Sequence, residues 1–188
     1  MKKVWLLFAG CVLLVWGGLA FGQAAKASER HTVAEVLDQR ISSVEGEFVP
    51  AADAMPEDKY SFAPTNGEFK GVRTFAQQVR HVAAVNYIIG AAILGEKPPV
   101  ELGGENGPDA VASKADIMKF LKGSFAYLHK AVATVNDKNL VDPIKNPFGE
   151  RMATRLGLSS SVVAHCFDHY GQMVEYLRMN GIVPPASR

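Results

Sequence analysis

The chain has 188 residues, of which 48% are hydrophobic and 21% are charged, a balance typical of a globular protein with a substantial core. Lysine and arginine number 20 against 19 acidic residues, which gives a formal net charge of +1. The basic residues form no stripe and the aromatic residues recur at core spacing, so the sequence argues against a nucleic-acid partner.

Residues 1–27 have the three-part arrangement of a signal peptide. Lys2 and Lys3 precede an almost unbroken apolar run from Val4 to Phe21, and small residues follow at signal-peptidase spacing. An uncleaved anchor is the alternative, because the apolar run reaches the lower end of membrane-spanning length. A lipoprotein signal at Cys11 is disfavoured, because apolar residues continue well beyond it. We expect cleavage and export, to the periplasm or outside the cell, with membrane contact only if this segment is retained.

Cleavage would leave a mature chain with a net charge near −2 and with Cys166 as its only cysteine. No intramolecular disulfide could then form. An exported chain of this kind must be held together by its core or by a metal ion.

The first predicted helix runs from about Val33 toward Met55. Thr32 and Glu35 have the spacing of a capping box. The apolar residues behind them recur on one helical face (Val33, Val36, Leu37, Ile41, Val44 and Phe48). Pro50 predicts a kink rather than a clean end.

Two further helices follow, each after a connector. Apolar residues at helical spacing predict the second helix over about residues 69–94, apolar around most of its circumference beyond His81 and therefore buried between others. Residues 95–109, with four glycines and three prolines, are a loop by composition. Ser113 and Asp116 form a capping signal for the third helix, whose apolar stripe extends to Val135.

The fourth helix is predicted to begin between Glu150 and Ser159 and to end at Asn180–Gly181, ahead of two prolines. No strand-period stretch of any length is present. Four helices joined by connectors of more than ten residues predict an all-α four-helix bundle with long inter-helix connectors, over about residues 32–187.

Three histidines are the best candidates for chemistry. His165 and His169 stand four residues apart on the last helix, which places both imidazoles on one face. That face should be aliphatic, yet its last four positions can hydrogen-bond or bind metal (His165, His169, Gln172 and Tyr176). His81 can project inward from the second helix. Three neutral imidazoles suit zinc, nickel, copper or iron and leave a coordination position open.

The alternative is that each histidine is an ordinary hydrogen-bonded core residue. For His81 alone that interpretation is the better one, but the three together in a bundle favour a metal. A di-iron site needs a glutamate three residues before each histidine, and those positions hold Gln78, Val162 and Cys166. A zincin needs glutamate directly after the first histidine, where Cys166 stands.

Several neighbouring residues have two interpretations each. Asp168 and Gln172 can orient an imidazole by a hydrogen bond from behind it, although Asp168 is equally suited to a solvated surface position. Tyr176 is either a polar neighbour of the site or a core aromatic residue. Cys166 is best interpreted as a small buried hydrophobic residue, and His129 as a boundary residue of the third helix.

The closing segment, Ala164–Ser187, resembles the last helix of DinB-like (DinB/YfiT) proteins, and shorter stretches such as Arg80–Ala83 and Gly95–Pro98 resemble earlier landmarks of that family. The resemblance implies a four-helix bundle, often a homodimer, with a three-histidine metal site whose ligands fall on His81, His165 and His169. Cys166–Asp168 departs from the acidic or amide pair that many relatives carry between the last two histidines.

The expected function is that of a metal-dependent hydrolase or transferase acting on a small molecule, with zinc, nickel or iron as the divalent ion. Some branches of the family resemble thiol transferases, but an exported chain would meet less of the low-molecular-weight thiols they use. The alternative is a non-catalytic metal-binding or stress-associated helical bundle. A catalytic site should leave one metal position facing an open pocket, whereas a structural site should be closed.

Overall fold

Four α-helices form the structure of residues 30–104 and 106–188, the parts of the chain that this computed structural model describes. They are α1 (Val33–Ala54), α2 (Phe75–Leu94), α3 (Lys114–Val132) and α4 (Arg155–Met179). Two short strands, β1 (Pro143–Ile144) and β2 (Ala153–Thr154), pair antiparallel just before α4. The predicted all-α four-helix fold is confirmed. The signal peptide predicted for residues 1–27 lies outside the described residues and stays a prediction.

Side-chain caps fix where the helices begin. Thr32 accepts a hydrogen bond from the Glu35 amide at 3.2 Å, and the Glu35 carboxylate accepts one from the Thr32 amide at 2.7 Å, which is the predicted capping box. The predicted start of α2 near residue 69 is wrong. The helix begins at Phe75 because Thr74 and Gln77 form a second capping box, with hydrogen bonds of 3.3 and 2.8 Å.

Most other boundaries agree with the sequence pattern, but α3 ends at Val132, three residues before the predicted end of its apolar stripe at Val135. Ser113 caps α3, and α4 begins within the predicted interval and ends at Met179 with Asn180 as its C-cap. Helix α1 runs through Pro50 and ends at Ala54. No helix in the described ranges combines the length and apolarity needed to cross a membrane.

The core draws on all four helices. Its largest fully buried side chains are Phe48, Phe75, Phe125, Ile41, Met55, Ile89, Ile93, Ile117, Leu121, Leu128, Met173 and Leu177. Helix α2 buries fourteen of its twenty residues, as expected for a helix packed between others. It therefore has few exposed positions, and the polar groups it carries are inside the bundle.

Helices α2 and α3 approach closely because each offers a glycine to a tyrosine of the other. A Cβ atom at Gly90 would lie 2.7 Å from the Tyr127 ring, and one at Gly123 would lie 2.5 Å from the Tyr87 hydroxyl. The two tyrosine rings are 5.6 Å apart. This reciprocal packing fixes the position of α2 relative to α3.

His129 joins α3 to α1. Its Nδ1 lies 2.5 Å from an Asp38 oxygen and its Nε2 lies 3.0 Å from a Glu45 oxygen. Burial alone would lower the pKa of His129, but the hydrogen bonds and charges of the two carboxylates outweigh it and raise that pKa above its ordinary value. The side chain is 27% exposed, which agrees with the predicted boundary position.

Candidate metal centre

The three predicted histidines come together where α2 packs against α4. The His81 ring centroid lies 5.1 Å from that of His165 and 4.8 Å from that of His169, and the last two are 4.5 Å apart. One ligand nitrogen from each can be chosen so that all lie within 4.8 Å of one another. The imidazoles of α2 and α4 thus form one cluster, as the sequence predicted.

The spacing of the nitrogens fits a shared cation. His81 Nε2 and His165 Nε2 are 3.1 Å apart. Two nitrogens each about 2.0–2.1 Å from a zinc ion lie about 3.3 Å apart at the tetrahedral angle. The Nδ1 atom of His165 is buried and has no hydrogen-bond partner among the described residues, so they do not orient this ring in the way that an ordinary core histidine is oriented. The donor set and its spacing therefore suit a divalent metal ion.

A chain of hydrogen bonds determines which nitrogen of His169 faces the cluster. The Asp168 carboxylate only accepts, so Gln172 turns its amide nitrogen toward it, at 3.3 Å. The Gln172 oxygen then accepts from Gln78 Nε2 at 2.8 Å, which leaves Gln78 Oε1 facing His169 Nδ1 at 2.6 Å. Nδ1 must carry the proton, so the lone pair of His169 is on Nε2.

Gln78 is the residue that sequence reasoning missed. It is 1% exposed on an otherwise apolar helix, three residues before His81 and on the same face. The signal in the sequence is a glutamine on the same helix face as His81, because a buried amide needs a hydrogen-bond partner. The contact with His169, ninety-one residues later in the chain, depends on how α2 packs against α4.

The other predicted neighbours lie at different distances from the cluster. Gln172 and Asp168 reach His169 through Gln78, and Asp168 is exposed. Tyr176 is a buried aromatic residue whose hydroxyl donates to the Arg73 carbonyl at 3.0 Å. Tyr176 thus holds the backbone of Arg73, whose positive charge acts on both His165 and His169.

The imidazoles of α4 are neutral at physiological pH. Burial, then the neighbouring imidazoles, lowers the pKa of His165 to about 4. Burial, then His81 and Arg73, lowers the pKa of His169 to about 4. Neutral imidazole is the form that binds a metal, so the folded chain presents these two groups ready for coordination.

Cys166 lies between the two histidines in sequence but not in space. Its thiol is buried and donates to Asn86 Oδ1 at 3.4 Å, and burial raises its pKa to about 12. It is thus the small buried residue that the sequence predicted. In the described residues, Cys166 is not among the side chains whose ligand atoms come together at the histidine cluster.

A hollow of about 480 Å³ opens beside His81. Its other walls are mostly apolar (Ala84, Val85, Ile88, Leu102, Gly103, Gly104 and Phe148). His81 itself is half-buried, whereas His169 is buried. The cluster therefore has one side that a small molecule can approach.

The loop that borders this hollow is held against α2 by the neighbour of His81. Arg80 donates from its guanidinium to the carbonyls of Pro108 and Val111, at 3.1 and 3.3 Å. Gly107 has φ +76°, and a Cβ there would lie 2.9 Å from the Arg80 carbonyl oxygen. Composition had predicted only a loop for residues 95–109, but its glycines allow the loop to pack on α2 next to the histidines.

Comparisons with known proteins agree with this architecture. The family model of the DinB superfamily matches residues 40–173. The crystal structure of a DinB-like protein from Bacillus cereus ATCC 10987 superposes with a TM-score of 0.62 at 18% identity, over 80% of this chain and 95% of that one. No curated protein matches the chain. With its four helices and a family match over most of its length, this chain belongs to the DinB superfamily.

Proposed function

We propose that this protein binds one divalent metal ion through His81, His165 and His169 and acts on a small molecule as a metal-dependent hydrolase or transferase. The convergence of three imidazoles from two helices, with their ligand nitrogens within 4.8 Å of one another, carries the proposal. The low pKa values of His165 and His169 support it, because they keep two of the three ligands neutral. Zinc, nickel and iron all suit such a donor set.

Each residue of the site has a part in this function. The three histidines hold the ion, and Gln78 keeps the His169 ring in the orientation and tautomer that turn Nε2 toward it. The apolar walls of the hollow beside His81 exclude water around a bound molecule. A divalent ion with three protein ligands supplies Lewis acidity at the position that it keeps for water or substrate.

The second candidate function is a non-catalytic metal-binding or stress-associated bundle. A structural ion is typically enclosed by four protein ligands. Within residues 30–104 and 106–188, three such side chains come together, and a hollow reaches one of the two that are only half-buried, His81. This access favours the enzyme over the purely structural site.

Metal analysis of purified variants tests the ligand assignment. His81→Ala, His165→Ala and His169→Ala should each lower the metal content from about one ion per chain to less than about a tenth of that value. His129→Ala is the matched control, because its imidazole is engaged by Asp38 and Glu45 on another face of the bundle. Retention of metal at wild-type occupancy in all three ligand variants would overturn the site.

Thermal unfolding gives a second measurement. An ion that binds only the folded state stabilises it by about 3 kcal/mol at a hundredfold excess over Kd, so a chelator should lower the Tm of the wild type. The same chelator should leave the Tm of His169→Ala almost unchanged.

A screen for hydrolysis and thiol conjugation, with metal-loaded and chelated protein side by side, separates the enzyme from the non-catalytic bundle. Equal inactivity of both preparations toward every substrate class would favour the bundle.

A further inference from the structure

A second and larger hollow lies toward the other end of α2. Its volume is about 820 Å³, and apolar residues form most of its wall (Ile88, Ala91, Ala92, Pro98, Ile144 and Pro147). Cationic side chains stand around it, those of Lys97, Lys145 and Arg155. Apolar walls with a few charged groups at the edge are what a site for a small amphipathic molecule requires.

The net charge at this edge is positive, because three cationic side chains and one acidic side chain line the hollow. Glu96 is the acid that lines the hollow, but it accepts hydrogen bonds from the Tyr127 hydroxyl at 2.7 Å and from Lys130 at 3.5 Å. Arg155 donates to two backbone carbonyls, those of Ile93 and Asn139, neither of which carries a formal charge. In the described parts of the chain, Lys97 and Lys145 form no ion pair with a carboxylate. The net positive charge at this edge would therefore attract and bind an anion.

The two hollows share one lining residue on α2. Ile88 lines both the larger hollow and the one beside His81, and it lies two helical turns beyond that histidine. Ala92 is eleven residues from His81, which corresponds to about 16 Å of helix. An extended molecule with its charged end at the lysines can therefore place its other end near the histidine cluster.

We propose that the larger hollow binds an amphipathic anion, a molecule with an apolar chain and a carboxylate or phosphate at one end. The anionic group lies between Lys97, Lys145 and Arg155, and the apolar chain follows Ile88 and Ala92 toward His81. The identification of this molecule as the substrate rests on the proposed function. Its binding in the hollow requires no metal.

Calorimetric titration of the protein with decanoate, decyl phosphate and decanol tests the proposal. Both anions should bind, and decanol should bind about tenfold more weakly because it lacks the charge. In Lys97→Ala/Lys145→Ala the affinity for decanoate should fall roughly tenfold and approach that for decanol. The matched control is Lys119→Ala/Lys122→Ala, which removes two exposed lysines of α3 that do not line the hollow and should change neither affinity.

Two further variants distinguish binding in the hollow from binding to the metal. Ala92→Phe places a ring inside the hollow and should abolish binding of all three molecules, while an unchanged Tm confirms that the variant is folded. In His169→Ala, decanoate should bind as in the wild type. If His169→Ala no longer binds decanoate while Lys97→Ala/Lys145→Ala still binds it, the anion binds the metal, and the hollow is not its site. If decanoate binds the wild type no better than decanol does, the inference is wrong whatever the metal content.

Discussion

Gln78 decides which nitrogen of His169 can bind a metal. A neutral imidazole carries its proton on either nitrogen, and solvent would allow both forms. Here the orientation of Gln78 is set by Gln172, whose own orientation is set by the Asp168 carboxylate. The exposed charge of Asp168 thus determines the tautomer of the buried His169 through the side-chain amides of two glutamines.

Substitution of this glutamine should weaken metal binding without touching a ligand. Gln78→Leu keeps the volume but removes the acceptor for His169 Nδ1–H, and we expect the metal affinity to fall about 10–100-fold. Gln172→Leu, one link further away, should have a smaller effect. Affinity is measured by competition with a chromophoric chelator. Equal affinities in Gln78→Leu and wild type would show that the contact does not orient the ring.

The low pKa values of His165 and His169 predict acid sensitivity of the metal-free protein. Their folded pKa of about 4 is below the unfolded value of about 6.5, so the unfolded chain binds more protons between those limits. The contribution of these two histidines to the free energy of unfolding should therefore be constant above about pH 6.5 and fall as the pH drops toward 4. The full shifts would correspond to roughly 3 kcal/mol per histidine, and solvent screening of the partly exposed rings reduces the expected total loss to about 2 kcal/mol or somewhat more.

Denaturant unfolding of chelator-treated protein across this range measures the effect. The variant His165→Asn/His169→Asn should have a shallower slope, because its polar replacements do not titrate. His129 cannot cause the loss: its pKa is raised, so its stabilising contribution is complete below about pH 6.5 and disappears only as the pH rises through its folded pKa. An equal slope in wild type and variant would contradict the assignment.

The contact of α2 with α3 shows how small residues determine the position of the helix that carries His81. The Tyr127 ring occupies the space that a Cβ of Gly90 would need. That ring cannot move aside freely, since its hydroxyl donates to Glu96 and its face lies near Tyr87. The glycine is therefore a packing requirement and not a weakness of the helix.

A pair of glycine substitutions tests this interpretation. Gly90→Ala should destabilise the protein by about 1–2 kcal/mol, because overpacking exceeds the gain in helix propensity. Gly46→Ala is the matched control on α1, and it should stabilise the protein by about 0.5–1 kcal/mol. Apart from the adjoining residues and the helix's own backbone, no atom in the described part of the chain lies within 4 Å of the added Cβ. Chemical denaturation measures both. Stabilisation by Gly90→Ala would show that α2 and α3 can separate at little cost.

The whole molecule is predicted to be a homodimer. This prediction rests on the resemblance of the closing segment to DinB-like proteins and on the general preference of soluble proteins for twofold assembly. Light scattering of the purified protein at micromolar concentration should give twice the mass of the chain. A monomer mass under those conditions would count against the prediction.

The sequence by itself determined the helices and the three histidines. Helix boundaries depend on local chemistry, such as the Thr32–Glu35 capping box and the Asn180 C-cap, and local chemistry is written in adjacent residues. The spacing of His165 and His169 is likewise a property of one helix. The predicted start of α2 near residue 69 is wrong because the capping box at Thr74 and Gln77 starts the helix at Phe75.

Only the tertiary structure decided what surrounds the histidines. The contact of Gln78 with His169, the Arg80 clamp on the glycine loop and the hollow beside His81 each join residues from distant parts of the chain. Periodicity reports which face of a helix is buried, but it carries no information about which residue of another helix lies opposite. That choice depends on side-chain volumes at the interfaces, such as Gly90 against Tyr127, which set how α2 lies between its neighbours.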